Sequence, residues 1–322
     1  MFVVKYKKLL LWLTLVIVSA AFAVIFAFGL RPGIDFVGGT LIEVNYTTAP
    51  EKSAVTEAIS LLEIGEPLVR QSDSDAGQGY LINVRDLSIE EQSKVETSLT
   101  TLGEGGNITR YTSIGPVIGA ELQDKATWAI GLVLLITVIY VAFAFAGIGK
   151  PVSSWVYGFV TILILGHDVL IPFAAMSLLG HFVGAEVDIL FMTAILTILG
   201  YSVNDTIVIF DRVREKLIQN RTEHRTKKVE LGGIAREEVS YTLNKPFEEL
   251  VGMAVSETMV RSINTSLTVL LALLALYFLG GVITQTFVLI LIVGVIAGAY
   301  SSIFIASPIL ITYAEYLAKK GK

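Results

Sequence analysis

The sequence has no cysteine and only three histidines, His167, His181 and His224, scattered along 322 residues. The first absence excludes disulfides and thiolate metal sites, and the second leaves no ligand cluster that would hold a zinc ion. No nucleophile with a base, metal set or nucleotide loop occurs at useful spacing, so neither an enzymatic reaction nor a cofactor is expected. Charged residues are also scarce, at 16%, whereas 53% are hydrophobic and the mean hydropathy is +0.69. A soluble domain of this length does not need so much apolar surface, and the composition reads as an integral membrane protein.

Six apolar runs carry that hydrophobicity: Leu9 to Leu30, Thr127 to Ala146, Val152 to Leu179, Val187 to Phe210, Val260 to Leu279 and Phe287 to Leu310. Each approaches or exceeds the roughly 20 residues that a helix needs to cross a bilayer. Before the first run stand Lys5, Lys7 and Lys8, and within it Ala21-Phe22-Ala23 resembles a signal-peptide cleavage site. The apolar run continues through Phe28, which favours a retained span. The net charge of −5 conceals an asymmetry, because the segment from Arg31 to Lys125 holds 15 acids and 7 bases. The remaining bases lie at the N-terminus, at Lys150, between Arg212 and Arg261, and at the C-terminus. The positive-inside rule therefore places both termini, the Lys150 turn and the loop at about 211–259 inside, and the acidic segment outside. An acidic outer domain is not expected to bind nucleic acid or anionic membrane.

Three regions follow: residues 1–30 form a tail and the first span, 31–125 an outer domain, and 126–322 the five other spans with the inner loop. Within the outer domain, Leu41 to Tyr46 alternates like a strand, Glu51 to Leu62 has helical spacing, and Pro67 to Gln71 and Tyr80 to Val84 read as short strands. Ser88, with Glu91 three residues on, starts a second helix through Leu102 by a capping box, and Ile108 to Ile114 supplies a last strand. The order β-α-β-β-α-β is that of a small α+β, ferredoxin-like unit. The connection Gly33 to Thr40 (GIDFVGGT) carries Gly33, Asp35, Gly38 and Gly39. Its adjacent glycines permit positive φ as the chain leaves the membrane, and it lacks the lysine and following helix of a phosphate loop.

In the inner loop the mixed-charge stretch Arg212 to Glu238 reads as a solvated helix extension and connector. Pro246 then begins an amphipathic segment, with Phe247, Leu250, Val251, Ala254 and Val255 on one side, expected to lie along the inner membrane surface. Gly294, Gly298 and Ser302 form a small-xxx-small row that reads as helix packing.

Polar residues inside the spans are the candidate functional groups. Asp205 lies six residues before Asp211, about 9 Å deeper at 1.5 Å per residue. A central acid costs about 2.5–3.5 kcal/mol to insert, so such a residue is by default functional. Tyr201 and Ser202 share its face and Asn204 adjoins it. Arg261, Asn264, Thr265 and Thr268 recur at i, i+3, i+4, i+7 along the fifth span. Arg261 either snorkels to the inner headgroups or serves the site, and its depth matches that of Asp205, so an ion pair between them is expected. His167-Asp168 in the third span either relays protons or packs against polar neighbours.

GIDFVGGT after the first span, HDV at 167–169, GYSVNDTIVIFDRVRE at 200–215 and Arg261 followed by NTSLT together resemble the SecF family. Its members are subunits of the SecD/SecF accessory complex of the bacterial protein-export translocase, and the likeness covers nearly the whole chain. It implies an RND-like half of six helices in the bacterial cytoplasmic membrane and partnership with SecD. The SecYEG channel, YajC, YidC and a translocating preprotein are further implied partners. It also implies that the proton-motive force drives late, outward movement of preproteins, with Asp205 and Arg261 as the coupling residues. The inner loop departs from the family in being longer around Thr222 to Asn244. Two other readings stay open: a proton-driven exporter of a small molecule or lipid, against which the small outer domain argues, and a non-conducting scaffold for SecD, against which the membrane acid argues.

Overall fold

A computed structural model describes residues 2–74, 77–145, 152–229 and 235–320. A short turn of helix, α1 (Phe2–Lys5), leads into α2 (Lys7–Phe28), the first of six helices long and apolar enough to cross a membrane. The chain then makes α3 (Ile34–Val37) and the outer domain: β1 (Gly39–Tyr46), α4 (Lys52–Ser60), β2 (Leu68–Ser74), β3 (Gly77–Val84), α5 (Ile89–Leu102) and β4 (Asn107–Ile114). Its antiparallel sheet has the order β2-β3-β1-β4, which fits the ferredoxin-like unit expected from the sequence. Alternation along β1 sends Ile42, Val44 and Tyr46 into a core with Val55 and Ile59 of α4 and Val95 and Leu99 of α5. Ser88 caps α5 and Glu91 returns the bond to the Ser88 amide at 2.9 Å. The second span, α6 (Pro116–Ala144), begins with proline at its first position and starts nine residues before the boundary at 125 drawn from hydropathy. Polar residues of its outer turns hid that start.

The remaining spans are α7 (Ser154–Val183), α8 (Ile189–Gln219), α9 (Phe247–Leu279) and α10 (Val282–Ser301), the last continuing through a π-helical turn, Ser302–Ala306, into α11 (Ser307–Lys320). Between α8 and α9 lies an antiparallel hairpin, β5 (Arg221–Val229) and β6 (Ala235–Leu243). Residues 212–219 are the helix extension expected, and the connector beyond them, in its described residues, is a hairpin rather than irregular chain. The Lys150 turn and Lys322 lie outside the described residues.

The segment after Pro246 does not lie on the membrane surface. It forms the first turns of α9, and its apolar side packs into the end of the bundle remote from the sheet domain: Leu250, Val251, Ala254 and Val255 are buried with Ile209, Phe210, Val213 and Leu217 of α8. An apolar stripe satisfies a bilayer surface and a neighbouring helix equally well, so periodicity could not choose between them. Ion pairs reinforce this end. Glu257 binds Lys216 at 2.7 Å and also Arg212, and Lys7 binds Glu248 at 3.3 Å and also Glu315.

Within the bundle α10 contacts α7, α8 and α9, and α2 and α6 pack against α7. Half of the apolar window of α8 is buried, against 11% for α9 and 6% for α6. The centre is thus built by α7, α8 and α10, and α9 presents a broad open face.

Candidate functional site

The buried acids of α7 and α8 meet one short piece of α10. The row predicted for packing fixes the approach: Gly294 lies against Ile198, Gly298 against Ser202, and the Ser302 hydroxyl reaches Asp205, donating to Oδ2 at 2.6 Å. Glycine at the first two positions removes side chains that would hold the helices apart, so the third can hydrogen-bond across the gap. Packing alone therefore describes Gly294 and Gly298 but not Ser302. Asp205 is 7% exposed, and the single acceptor bond from Ser302 is its only side-chain hydrogen bond among the described residues.

Ser301, one residue earlier, points about 100° away around the helix. It reaches α7 and donates to Asp168 Oδ2 at 2.7 Å. Ser202 of α8 donates to the same oxygen, and His167 Nδ1 lies 2.8 Å from Asp168 Oδ1. Asp168 is wholly buried, and several donors on one carboxylate provide the compensation that burial of a charge demands. His167 Nε2 is buried without a hydrogen-bond partner among the described residues. Consecutive serines thus touch the two carboxylates, at the junction where α10 turns π-helical. A π turn is a rare geometry that recurs at functional sites.

Other predicted residues lie elsewhere. On α9 it is Ser262 and Ser266 that are buried, 1% and 4% exposed, and the Tyr201 hydroxyl donates to Ser266 at 3.1 Å. Arg261, Asn264 and Thr265 occupy the exposed side of the helix, and the Thr265 hydroxyl donates back to the Arg261 carbonyl, at 2.9 Å. Arg261 makes no ion pair among the described residues, so the expected Asp205–Arg261 pair does not form within this chain. The antiparallel register explains the near miss. From the Tyr201–Ser266 bond, four residues inward on each helix bring Asp205 level with Ser262, whose neighbour Arg261 points about 100° away. Depth was readable from sequence, but which of two polar stripes faces inward was not. Asn204, likewise adjacent to Asp205, is exposed. Ser301 and Ser302 went unread as site residues, although two adjacent hydroxyls in an apolar span were a usable signal.

The outer motif is built as a close crossing. Gly38 and Gly39 have φ of 81° and 142°, and a Cβ on Gly38 would stand 2.8 Å from the Pro116 Cα. Gly33 stacks on Val187, and Asp35 Oδ2 accepts from the Ile189 amide at 2.9 Å. Among the described residues no group of three or more His, Asp and Glu side chains could hold a metal ion.

Comparison with known proteins places this arrangement. The chain matches the family model of the protein export membrane protein SecD/SecF C-terminal region over residues 94–234 and 234–316, and the SecD/SecF GG motif over 23–50. It is 34% identical to protein translocase subunit SecF of Thermobaculum terrenum, covering 97% of this chain and 93% of that protein. It is also 34% identical to SecF of Sebaldella termitidis, over 92% and 85%. With SecDF of Thermus thermophilus it shares 33% identity over 93% of its own length but 37% of the longer protein. The crystal structure of that translocon-associated SecDF superposes with a TM-score of 0.79 at 30% identity, over 97% of this chain and 38% of that one. A multi-pass membrane protein with this motif order, fold and likeness is an accessory subunit of the Sec translocase, and the chain belongs to the SecF family.

Proposed function

We propose that the chain couples the proton-motive force to late, outward movement of preproteins, with Asp205 as the group that takes up and releases the proton. The observation that carries this reading is the pair of buried carboxylates met by Ser301, the last residue of α10, and Ser302, the first of the π-helical turn. Protonation of Asp205 changes what Ser302 binds, and the adjoining Ser301 holds Asp168, so an event at one acid reaches the packing of α7, α8 and α10 together. His167 and Asp168 extend the polar chain and form its second proton-bearing member.

The exposed stripe of Arg261, Asn264 and Thr265 then belongs to an interface. In SecDF the matched region is little more than a third of one polypeptide, and the corresponding occupant of that face here is SecD, which supplies a partner for the arginine. The magnitudes are adequate. One charge crossing the membrane field is worth about 2.3 kcal/mol per 100 mV, and swinging a two-state equilibrium from 1:99 to 99:1 needs about 5.5 kcal/mol. One or two protons per cycle suffice at roughly 150–250 mV. The positive-inside pattern sets both termini in the cytoplasm and the acidic domain on the far side, where the preprotein emerges from SecYEG.

The test compares native and Asp205→Asn chains, each assembled with SecD in vesicles, for proton conductance and for proton-driven stimulation of export. Asp205→Asn is expected to remain assembled and to lose both activities. Full retention of proton-dependent stimulation would overturn the assignment.

A further inference from the structure

The outer motif contains Asp35, a charged residue with no part in the proton site, and its contacts lead to the helix that carries Asp205. The first amides of α8 are free donors, as at any helix start. Asp188 takes one, accepting from Phe191 N at 2.7 Å, in the ordinary manner of a cap. The other bond comes from a distant part of the chain: Asp35 Oδ2 accepts from Ile189 N at 2.9 Å. The positive end of the helix dipole favours both carboxylates there. Beside it the two linkers pair by backbone, Val187 N to Arg31 O and Gly33 N to Val187 O, each 2.7 Å. Gly33 has no side chain because one would stand 3.1 Å from the Val187 carbonyl.

From Asp35 the chain reaches β1, a central strand of the outer sheet, within four residues. A second attachment joins the neighbouring strand: Asn83 of β3 donates to Glu186, two residues before the α8 cap. A cleft of about 630 Å³, lined by Arg31, Arg70, Leu81 and Thr112 among others, separates much of the sheet face from the ends of α7 and α8. Polar attachment to α8 is therefore concentrated in a few contacts, beside which Leu68 and Arg70 of β2 lie against Gly184 at the end of α7. One polar contact would let the domain swivel on α8, whereas two, one on α3 just before β1 and one on β3, fix its orientation relative to α8.

We propose that Asp35 and Glu186 are positioning residues that fasten the outer domain to the outer end of α8, so that domain and helix move as one body. This rests on the proton-coupled motion of α8 proposed above. The joint stays closed through the cycle and converts a displacement of the helix into a displacement of the whole sheet.

The test uses the full chain with SecD in vesicles and reads proton conductance and export stimulation separately. Asp35→Ala is expected to lower stimulation at least tenfold while conductance stays within twofold of native. Asp35→Asn, whose amide oxygen accepts the same bond, should recover at least half the stimulation. Asp205→Asn, by contrast, loses both readouts, which separates failure of the joint from failure of proton coupling. Because the chain has no cysteine, Asn83→Cys with Glu186→Cys can be joined selectively by a short, reducible bis-methanethiosulfonate cross-linker that spans the gap left by the two side chains, and stimulation of the cross-linked protein should remain within twofold of native. Unchanged stimulation in Asp35→Ala overturns the proposal, as does a cross-link that abolishes stimulation until it is reduced. If Asp35→Ala fails to accumulate in the membrane, the cross-linking arm decides alone.

Discussion

Gly294 and Gly298 are equivalent in sequence, both members of one small-residue row, yet the structure assigns them different consequences on substitution. An added Cβ at Gly298 would meet the Ser202 Cβ at 3.4 Å, an ordinary contact. At Gly294 it would stand 2.2 Å from Ile198 Cδ1 and 2.4 Å from its Cγ1. Rotation about χ2 can move the outer methyl, but Cγ1 moves only with χ1, and a β-branched residue in a helix has one strongly preferred χ1. Ile198 is 1% exposed in a packed cluster with Leu165, Ile195 and Leu291, so α10 must move instead. Overpacking of this kind costs about 1–3 kcal/mol, roughly five- to 150-fold in the folding equilibrium. Because Ser302 lies eight residues farther along the same row, displacement of α10 also weakens its bond to Asp205. Gly294→Ala should therefore lower the midpoint of unfolding in detergent and reduce proton conductance, Gly298→Ala should leave both close to native, and Ile198→Ala should restore much of what Gly294→Ala loses. Equal effects from the two glycine substitutions, or no rescue by Ile198→Ala, would refute the packing argument.

Arg261→Ala should leave the unfolding midpoint of the isolated chain unchanged, since the arginine is exposed and in no ion pair among the described residues, but should abolish proton-driven stimulation once SecD is present; a large stability loss without SecD would show an intrachain partner. Burial raises the pKa of Glu186 above the ordinary carboxylate value, partly offset by Arg70 and the Asn83 bond, and burial raises that of Asp188 likewise. Groups raised in this way contribute fully below the ordinary carboxylate range and lose the contribution as pH rises through the raised value. The melting temperature of the outer domain in the full chain should accordingly be higher at pH 5 than at pH 8, with a smaller difference in Glu186→Gln; an unchanged difference would remove Glu186 from the account.

Local chemistry determined what the sequence could reveal. Apolar runs longer than a bilayer fixed the number of spans, alternation and a capping box marked the strands and α5, and one costly acid singled out Asp205, because each of these signals is complete within a few turns of chain. The paired glycines at 38 and 39 were legible for the same reason: positive φ is a property of the residue itself. Facing is different. Arg261 and Ser262 are neighbours at the depth of Asp205, and only the packing of α9 on α8 decided that the serine turns inward and the arginine outward. The apolar side of 247–255 suited a membrane surface as well as a helix, until α8 was there to cover it. Ser301 and Ser302 became site residues because glycines one and two turns away allow α10 to approach α8, a contact between segments nearly a hundred residues apart that no local pattern encodes.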